Sequence, residues 1–537
     1  MRMTNKIMQN NSLYNINNNK MLQDKLSTQM STQKKLTRPS DDPVIAIRAL
    51  RLRSDVSQIS QFYEKNAPDA ESWIKVTSDA LNTTTDVINS MIEQATKGSN
   101  KDLSYEDLDI IVTQLEALKD EFYATGNVDF AGRYVFTGFR TDTTLTYTED
   151  TIQDFNITEQ INVAAVDTLN YTNLDNLEGI SKENYDPTTG IGQAEAGIQN
   201  NDIYRIRLSY DNLKNEADGQ KLTVTEVTDP TTVPPTEAAL LTDAEIEYRS
   251  STEDPDPYEY ILDPANAGKA VLIPETGELL IGAKLYANKF EKIPTDREIR
   301  INYNKDSWKD GDLRPQHYFA CVDQTADLAA EHVKYNQEEY VNTANNPATI
   351  EKYIPMEKVS QVIEYDVGYN QKIRINTTAD EVFKVNVDRD VDDMKLALAQ
   401  LEEINTSRDN LKNMLDGMDE NEAGYANLKA TYEAADKAFT YIRENVQKKF
   451  ENLITKVQGT LDDTSIAITD NGTRGSRLDL VANRLMTQKT TFQTLQSSNE
   501  DVDVTEVTIQ LTSMEYSYQS ALMATSKIMQ NSLMNYI

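Results

Sequence analysis

The 537-residue sequence has few of the side chains that most often carry chemistry. It contains one cysteine, Cys321, and two histidines, His317 and His332. A single cysteine excludes a disulfide framework and a multi-cysteine zinc site. The sequence also lacks a glycine-rich phosphate loop and a nucleophile-elbow motif. We therefore expect no enzymatic activity, no cofactor and no metal site.

Long apolar runs and positive charge are also scarce. No stretch approaches the roughly 20 consecutive apolar residues of a membrane span, and the start has no apolar signal-peptide core. The net charge of −34 argues against binding to a phosphate backbone. We expect neither a membrane nor a nucleic-acid partner. The protein would be cytosolic unless it leaves the cell by a route that reads no cleaved signal peptide.

Three candidate sites do not match the pattern that their chemistry requires. The acidic run at 388–393 has Asp393 and Ala399 where an EF-hand loop needs Gly and Glu, so we interpret it as the solvated acidic start of a helix. Cys321 lies between the two histidines in a strand-like segment, which favours a buried structural thiol over a nucleophile. Paired carboxylates such as Asp254 and Asp256 are too common in this chain to indicate a hydrolase.

Proline divides the chain into helical flanks and a strand-rich centre. Twelve of the fifteen prolines lie between Pro187 and Pro355, and none follows. Because proline interrupts helices, its absence favours long helices on both sides. We predict an α+β fold, with a long coiled-coil-like helical bundle from both flanks and a β-rich central domain. The predicted segments are a terminal segment 1–43, rod halves 44–139 and 386–490, an acidic centre 140–385, and an assembly helix 491–537.

The helical flanks carry clear periodicity and boundaries. Ser40, Asp41 or Asp42 can cap a helix that begins at Pro43, and Gly417 and Gly424 interrupt the C-terminal flank. The N-terminal rod has apolar or small residues spaced three and four apart. They are Leu52, Val56, Ile59, Tyr63, Asn66, Ala70, Trp73, Thr77, Ala80, Thr84, Ile88, Met91 and Ala95.

Charge is distributed unevenly along the chain. The first 53 residues carry a net charge of +7, the span 140–385 carries −23, and the last 38 residues carry −4. The two ends are therefore electrostatically complementary, and the centre presents an acidic surface.

Several strings resemble the flagellin-like superfamily of bacterial flagellar axial proteins. They are the segments at 1–4, 29–36 (QMSTQKKL), 38–43 (RPSDDP) and 132–141 (GRYVFTGFRT), with the tail from Tyr518 to Ile537. The string at 132–141 is similar to that of the hook–filament junction proteins rather than of flagellin itself. Gln33 departs from the pattern, because the family usually has Gly there.

The resemblance implies an extracellular structural protein, exported by the flagellar type III apparatus without a cleaved signal peptide. It implies hook-associated protein 1, flagellin, an export chaperone and further copies in a ring as partners. It also implies that segment 1–43 is disordered until it docks. Flagellin itself, or a binding module or enzyme in the central domain, are the alternatives.

Apolar residues near both ends are the candidate assembly interface, since an uncovered apolar stripe is a site of interaction. We expect these side chains to be buried only in the assembled junction, the alternative being that they pack within one subunit. They are Ile7, Met8, Leu13, Tyr14, Leu522, Ile528, Met529, Leu533 and Tyr536.

Overall fold

The predicted α+β fold class is confirmed. The structure is a computed structural model that describes residues 5–101, 103–174, 177–188, 197–214, 221–326, 328–342 and 348–530. The chain divides into two compact units. The terminal unit comprises residues 1–72, 364–373 and 474–537, and the central unit comprises residues 73–363 and 374–473.

Long helices occupy both flanks of the chain. The helices are α1 Asn5–Thr32, α2 Pro43–Gln61, α3 Ala67–Gly98, α4 Tyr105–Ala124, α5 Pro257–Leu262, α6 Ala283–Leu285, α7 Ala379–Val382, α8 Asn386–Asp416, α9 Tyr425–Glu500 and α10 Val504–Gln530. The predicted interruption at Gly417 and Gly424 falls in the loop between α8 and α9. None of the helices in the described part of the chain combines the length and apolarity of a membrane span.

Local sequence signals explain where α2 begins. Asp42 adopts extended backbone geometry, and its carboxylate accepts hydrogen bonds from the amides of Val44 and Ile45 at 3.0 and 3.1 Å. Pro43 occupies the first turn, where its missing N–H costs nothing. The predicted cap and the predicted first helical position are both confirmed.

Helices α2 and α3 are joined by a π-helical turn, Phe62–Asn66, which the sequence periodicity does not reveal. Its cause is Pro68 in the first turn of α3. A proline ring collides with the carbonyl four residues earlier in an α-helix, and it donates no hydrogen bond. A wider turn relieves both problems without ending the rod. The predicted heptad residues from Trp73 to Ala95 are all buried.

The N-terminal rod, which includes the π-helical turn and α3, packs antiparallel to α9 in each unit. In the terminal unit, Lys489 of α9 pairs with Glu64. In the central unit, the side-chain amide of Asn471 donates to the carbonyl oxygen of Ile74 at 2.9 Å. Farther along α3, Gly98 lies against the ring of Phe450. Pairing of α3 with α9 thus builds the helical part of the central unit from both flanks.

Strands fill the chain between the rods. They are β1 Asp129–Phe130, β2 Arg133–Tyr134, β3 Thr151–Ile161, β4 Val166–Thr172, β5 Asn200–Arg207, β6 Thr223–Asp229, β7 Thr236–Ala239, β8 Ile246–Tyr248, β9 Ala270–Ile273, β10 Glu278–Ile281, β11 Ile299–Trp308, β12 Ala320–Asp323, β13 Val333–Tyr335, β14 Glu338–Asn342, β15 Thr349–Tyr353, β16 Glu364–Gly368 and β17 Gln371–Arg374.

Two larger sheets organise the central unit. One has the order β4-β5-β10-β9-β8, and the other has the order β13-β12-β3-β11-β6-β7. Every strand pair within them is antiparallel except β8 with β9. Helix α5 covers one face of the first sheet, over a core of Ile203, Ile261, Val271, Ile273 and Leu280.

The string at 132–141 that carries the family resemblance has a structural role here. Ala131 and Gly132 both have positive φ, 54° and 76°, and they turn the chain between β1 and β2. The Arg133 guanidinium then lies over the buried Trp73 ring at 5.0 Å. Phe136 packs edge-on against Phe383, with ring centroids 5.1 Å apart. This turn therefore places Arg133 against α3 and Phe136 against the segment that follows α7.

The acidic start of α8 is not the solvated surface that the sequence suggests. Asp393 is buried and accepts hydrogen bonds from Arg205 of β5 at 3.3 and 2.9 Å. Arg205 also pairs with the buried Glu278 of β10 at 2.5 Å. Charge pairing with Arg205 and Arg207 holds the pKa of Glu278 far below its ordinary value despite its burial. The prediction failed because both arginines come from a distant strand.

Candidate assembly surface on the terminal helices

Two short segments join the terminal helices. We call residues 33–35 and 500–502 the terminal clasp. Lys34 and Asp501 form an isolated antiparallel bridge. On either side, the Lys35 amide donates to the Glu500 carbonyl at 2.7 Å, and the Val502 amide donates to the Gln33 carbonyl at 3.1 Å. The end of α1 and the start of α10 are thereby held together, and the two packed helices run antiparallel.

Ion pairs reinforce the clasp. Arg53 of α2 donates two hydrogen bonds to the Glu500 carboxylate, at 2.7 and 2.6 Å. Lys34 donates to Asp501 at 2.5 Å and lies 3.6 Å from Glu500. These hydrogen bonds and positive charges hold the pKa values of Glu500 and Asp501 below their ordinary range. A bidentate guanidinium–carboxylate pair fixes orientation as well as distance.

Gln33 has a strained backbone at the start of the clasp. Its φ is +55°, in the left-handed region that favours glycine. This conformation ends α1 and turns Lys34 toward Asp501. The side-chain amide of Gln29 donates to the Lys35 carbonyl at 2.7 Å and supports the turn. The departure of Gln33 from the family's usual Gly therefore falls at a position where glycine is easier to accommodate.

Each helix turns one face toward the other. Partial or complete burial recurs three and four residues apart along both helices, which marks the shared face. On α1 these positions are Gln9, Ser12, Ile16, Asn19, Gln23 and Leu26, and on α10 they are Val507, Leu511, Met514, Tyr518, Ala521 and Thr525. The α10 face is largely apolar. The α1 face is mostly polar, with Ile16 and Leu26 as its apolar contacts.

A row of apolar residues lies on the outer side of α1. Ile7, Tyr14 and Met21 are exposed and recur every seven residues. Residues seven apart in an α-helix differ in direction by only about 20°. This stripe points away from the face that α10 covers, because Ile16 and Gln23 lie about half a turn from it. We call it the α1 outer stripe.

Helix α10 has a matching feature. Ile509, Tyr516 and Met523 are also exposed and seven residues apart, on the side opposite Val507 and Met514. A shallow groove lined by Ile509, Tyr516 and neighbouring serines and threonines follows this side. We call these three residues the α10 outer stripe. Each terminal helix thus turns one face toward the other and has, on the opposite side, a row of three apolar side chains that the described part of the chain leaves exposed.

The predicted interface residues divide into three groups. Ile7, Met8, Leu13, Tyr14 and Leu522 are exposed on α1 and α10. Ile528 and Met529 belong to the last turn of α10, but their side chains lie outside the description, and Leu533 and Tyr536 lie outside the described residues. Met21, Ile509, Tyr516 and Met523 were not predicted. Their seven-residue spacing is present in the sequence and is the signal that could have identified them.

The central unit does not assemble the suggested cysteine site. Cys321 is buried in β12, and burial raises the pKa of its thiol far above the ordinary value. Burial lowers the pKa of His317 to about 4, and its Nε2 contacts the Thr144 carbonyl oxygen at 3.1 Å. Within the described ranges, no group of three or more His, Cys, Asp or Glu side chains is placed to hold a metal.

Comparison with known proteins identifies the class of the helical region. Residues 3–141 match the family described as the bacterial flagellin N-terminal helical region. This range includes α1 to α4 and the turn at 131–132, so the predicted resemblance to the flagellin-like superfamily is confirmed for that region.

Two curated relatives have a more specific name. The chain is 32% identical over 143 residues to flagellar hook-associated protein 3 of Salmonella typhimurium. It is 31% identical over 144 residues to the protein of the same name from Escherichia coli. These matches cover 26% and 27% of this chain, and 45% of each relative. The chain thus spans less than half the length of the curated relatives it matches.

Solved structures of flagellar proteins are also similar. A crystal structure of FlgL from Xanthomonas campestris is 12% identical, with a TM-score of 0.30, and the match covers 83% of this chain and 99% of that one. The flagellar junction protein FlgL from Legionella pneumophila is 10% identical, with a TM-score of 0.24, over 81% of this chain and 99% of that one. Such TM-scores are too low to establish a shared arrangement.

Proposed function

We propose that this protein is a structural axial component of the bacterial flagellum that joins the hook side to the flagellin filament. Helical packing of its two terminal segments makes the connection, and catalysis has no part in this role. The observation that carries the proposal is the pair of outer stripes, because each consists of apolar side chains that the described part of the chain leaves exposed. The similarity to hook-associated protein 3 supports the same assignment.

The antiparallel α1–α10 pair is suited to be one element of a larger helical layer. Helix α10 has apolar side chains on two opposite sides, which is typical of the interior of a bundle rather than of a surface. Side chains such as Tyr14 and Tyr516 bring large apolar areas to a contact and keep a polar tip. In this proposal further copies in a ring cover these faces, and hook-associated protein 1 and flagellin contact the two ends of the ring.

Location and delivery follow from the same proposal. The protein acts outside the cell in the flagellum, after export by the type III apparatus without cleavage of a signal peptide. An export chaperone would cover the two outer stripes before assembly, since exposed apolar surface of this kind promotes association. Segment 1–43 is then free of its partner during export and becomes helical on docking.

The first test is electron microscopy of cells that lack the gene product. We expect hooks without filaments, with flagellin released into the medium. Normal filaments on such cells would contradict the junction role.

A pair of variants on α1 tests whether the outer surface performs this role. Tyr14→Asp places a charge on the α1 outer stripe, and Asn15→Asp places the same charge on an exposed polar position about 100° away around the helix. We expect cells complemented with Tyr14→Asp to lack filaments and cells with Asn15→Asp to have them. Both purified proteins should keep the parent thermal midpoint. Equal filament formation by the two variants would show that the predicted interface is wrong.

Flagellin itself remains the second candidate, because the matched family is defined on the flagellin N-terminal region. Copy number separates the two roles. A filament subunit dominates the protein of sheared flagella, whereas a junction protein is a minor band. Quantification of this chain against the major band in sheared flagella decides between them.

A further inference from the structure

Methionine occupies the same place in both outer stripes. Met21 is the last of the three residues of the α1 outer stripe, and Met523 is the last of the three residues of the α10 outer stripe. Their side chains are 72% and 68% exposed, the highest values among the stripe residues. The thioether groups at these positions are therefore open to small solutes from the surrounding water.

Among the methionines whose side chains the structure describes, exposure varies widely. Met91 of α3 and Met394 of α8, both in the central unit, are each 1% exposed. Met486 of α9 is 53% exposed, but it belongs to neither stripe. The protein thus contains two exposed methionines at the candidate assembly surface, a buried pair, and an exposed methionine elsewhere. These residues separate the effect of exposure from the effect of position.

The thioether of methionine changes polarity when it is oxidised. A peroxide transfers one oxygen atom to the sulfur, which becomes a sulfoxide, and hydrogen peroxide is reduced to water. The side chain keeps its length but becomes polar, and its oxygen accepts hydrogen bonds. Because the peroxide must reach the sulfur, exposed methionines react before buried ones. Methionine sulfoxide reductases reverse the reaction.

An oxidised stripe is poorly suited to an apolar helix contact. The unmodified methionine side chain fills irregular apolar gaps. A sulfoxide oxygen loses its water when the contact forms, and it regains a hydrogen bond only if the partner offers a donor. A partner that covers Ile7 and Tyr14 of the same stripe must present apolar surface. Oxidation at Met21 or Met523 therefore weakens the contact that the stripe makes.

We propose that Met21 and Met523 are oxidation sites through which peroxides prevent assembly. The inference rests on the proposed function, because that function requires further copies to cover the two stripes. In this proposal the sites react only between release of the exported chain and its docking, since docking buries them. Peroxides in the medium therefore stop new subunits from docking and leave finished assemblies intact.

Peptide mass spectrometry tests whether the two sites react. The purified full-length protein is treated with dilute hydrogen peroxide, and the sulfoxide content of each methionine is followed over time. We expect Met21, Met523 and Met486 to oxidise roughly tenfold faster than Met91 and Met394. Equal rates for the exposed and the buried residues would overturn the inference.

Co-sedimentation with hooks tests whether oxidation prevents docking. The hooks come from cells that lack the gene product. We expect the peroxide-treated protein to bind roughly tenfold more weakly than the untreated protein. Methionine sulfoxide reductases, with dithiothreitol as the reductant, should restore binding. Equal binding before and after oxidation would overturn this inference alone, whereas failure of the untreated protein to bind would contradict the proposed function as well.

A leucine variant assigns the effect to the two stripes. Met21→Leu combined with Met523→Leu keeps both stripes apolar and removes both oxidisable sulfurs. Peroxide should therefore leave the hook binding of this variant unchanged. Met8, Met30 and Met486 remain oxidisable in it, so a loss of binding after treatment would show that the effect belongs to other methionines.

A glutamine variant imitates the oxidised state without peroxide. Met21→Gln combined with Met523→Gln places polar side chains on both stripes, and Met486→Gln is the matched control outside them. All of these positions are exposed, so each variant should keep the parent thermal midpoint. We expect the double variant to bind hooks roughly tenfold more weakly than the control. Equal binding by the two would show that polarity at the stripes does not limit docking.

Discussion

Arg53 and Glu500 are 447 residues apart in the sequence and share two hydrogen bonds, of 2.7 and 2.6 Å. Glu500 is buried, and Lys34 is its other cationic neighbour, at 3.6 Å. This pair ties the end of α9 to α2 beside the point where the two terminal helices begin their contact. The clasp therefore depends on a small number of identifiable groups.

Removal of the guanidinium should loosen the clasp. Arg53→Gln leaves the buried Glu500 carboxylate without its two donors, and we expect a cost of about 1–2 kcal/mol. Native-state hydrogen exchange of α1 and α10 amides measures this loss of stability. The control is Lys97→Gln, which breaks the exposed Lys97–Glu93 pair at 2.9 Å and should cost less than about 0.5 kcal/mol. Equal exchange in the two variants would refute the assignment.

The clasp should also weaken in acid. The pKa values of Glu500 and Asp501 are lowered in the folded protein, so their contribution is complete above the ordinary carboxyl pKa of about 4. It is lost as the pH falls through the lower folded values. The pKa of Lys34 is raised in the folded protein, so the stability that Lys34 contributes is complete below its ordinary pKa. That contribution therefore does not change over the acidic range.

Limited proteolysis of the α1–α10 region across the acidic range measures this loss. In the variant with Glu500→Gln and Asp501→Asn, cleavage should be faster at neutral pH and should change little in acid. A double variant that keeps the parent's pH profile would assign the acid sensitivity to other groups.

Glycine at position 33 should stabilise the terminal helices. The left-handed backbone of Gln33 costs about 1–2 kcal/mol with a side chain, and the greater freedom of glycine in the unfolded chain offsets part of the gain. We expect Gln33→Gly to gain about 0.5–1 kcal/mol by hydrogen exchange.

The matched control is Lys25→Gly, at an exposed position inside α1. There glycine should cost about 0.5–1 kcal/mol, because the backbone is already helical. Effects of the same sign at the two positions would contradict the left-handed assignment of Gln33.

Two glycines in the rod should respond oppositely to alanine. A Cβ at Gly98 would lie 2.3 Å from the Phe450 ring, and that ring is buried. We expect Gly98→Ala to destabilise the protein by about 1–3 kcal/mol. Gly459 lies inside α9 with open space around its Cα, so Gly459→Ala should stabilise by about 0.5–1 kcal/mol. Urea unfolding of each protein provides the comparison, and a stabilised Gly98→Ala variant would refute the packing of α3 on α9.

Local signals predicted much of the helical part. The Asp42 cap, Pro43 and the interruption at Gly417 each depend on neighbouring residues, so the sequence contains all the information they require. The π turn at 62–66 escaped prediction because the heptad continues through it almost unchanged.

The charged interior of the central unit could not be predicted in the same way. Arg205, Glu278 and Asp393 come from β5, β10 and α8, and no spacing in the sequence relates them. Their burial follows from the sheet register that places β5 beside β10. For the assembly surface, the sequence identified apolar residues at both ends but not which face each helix uses within the subunit. That choice depends on the partner helix.

The clasp also imposes an order of events on folding. Lys34 and Asp501 are 467 residues apart, and α1 packs along α10 rather than on its sequence neighbours. When the chain emerges with its N-terminus first, from a ribosome or from a narrow channel, α1 emerges long before α10. Contacts of such long range form late and slowly. Helix α1 is therefore among the first segments to emerge and among the last to form its native contacts. Because the face of α1 that later contacts α10 is mostly polar, this face can remain in water until α10 is present.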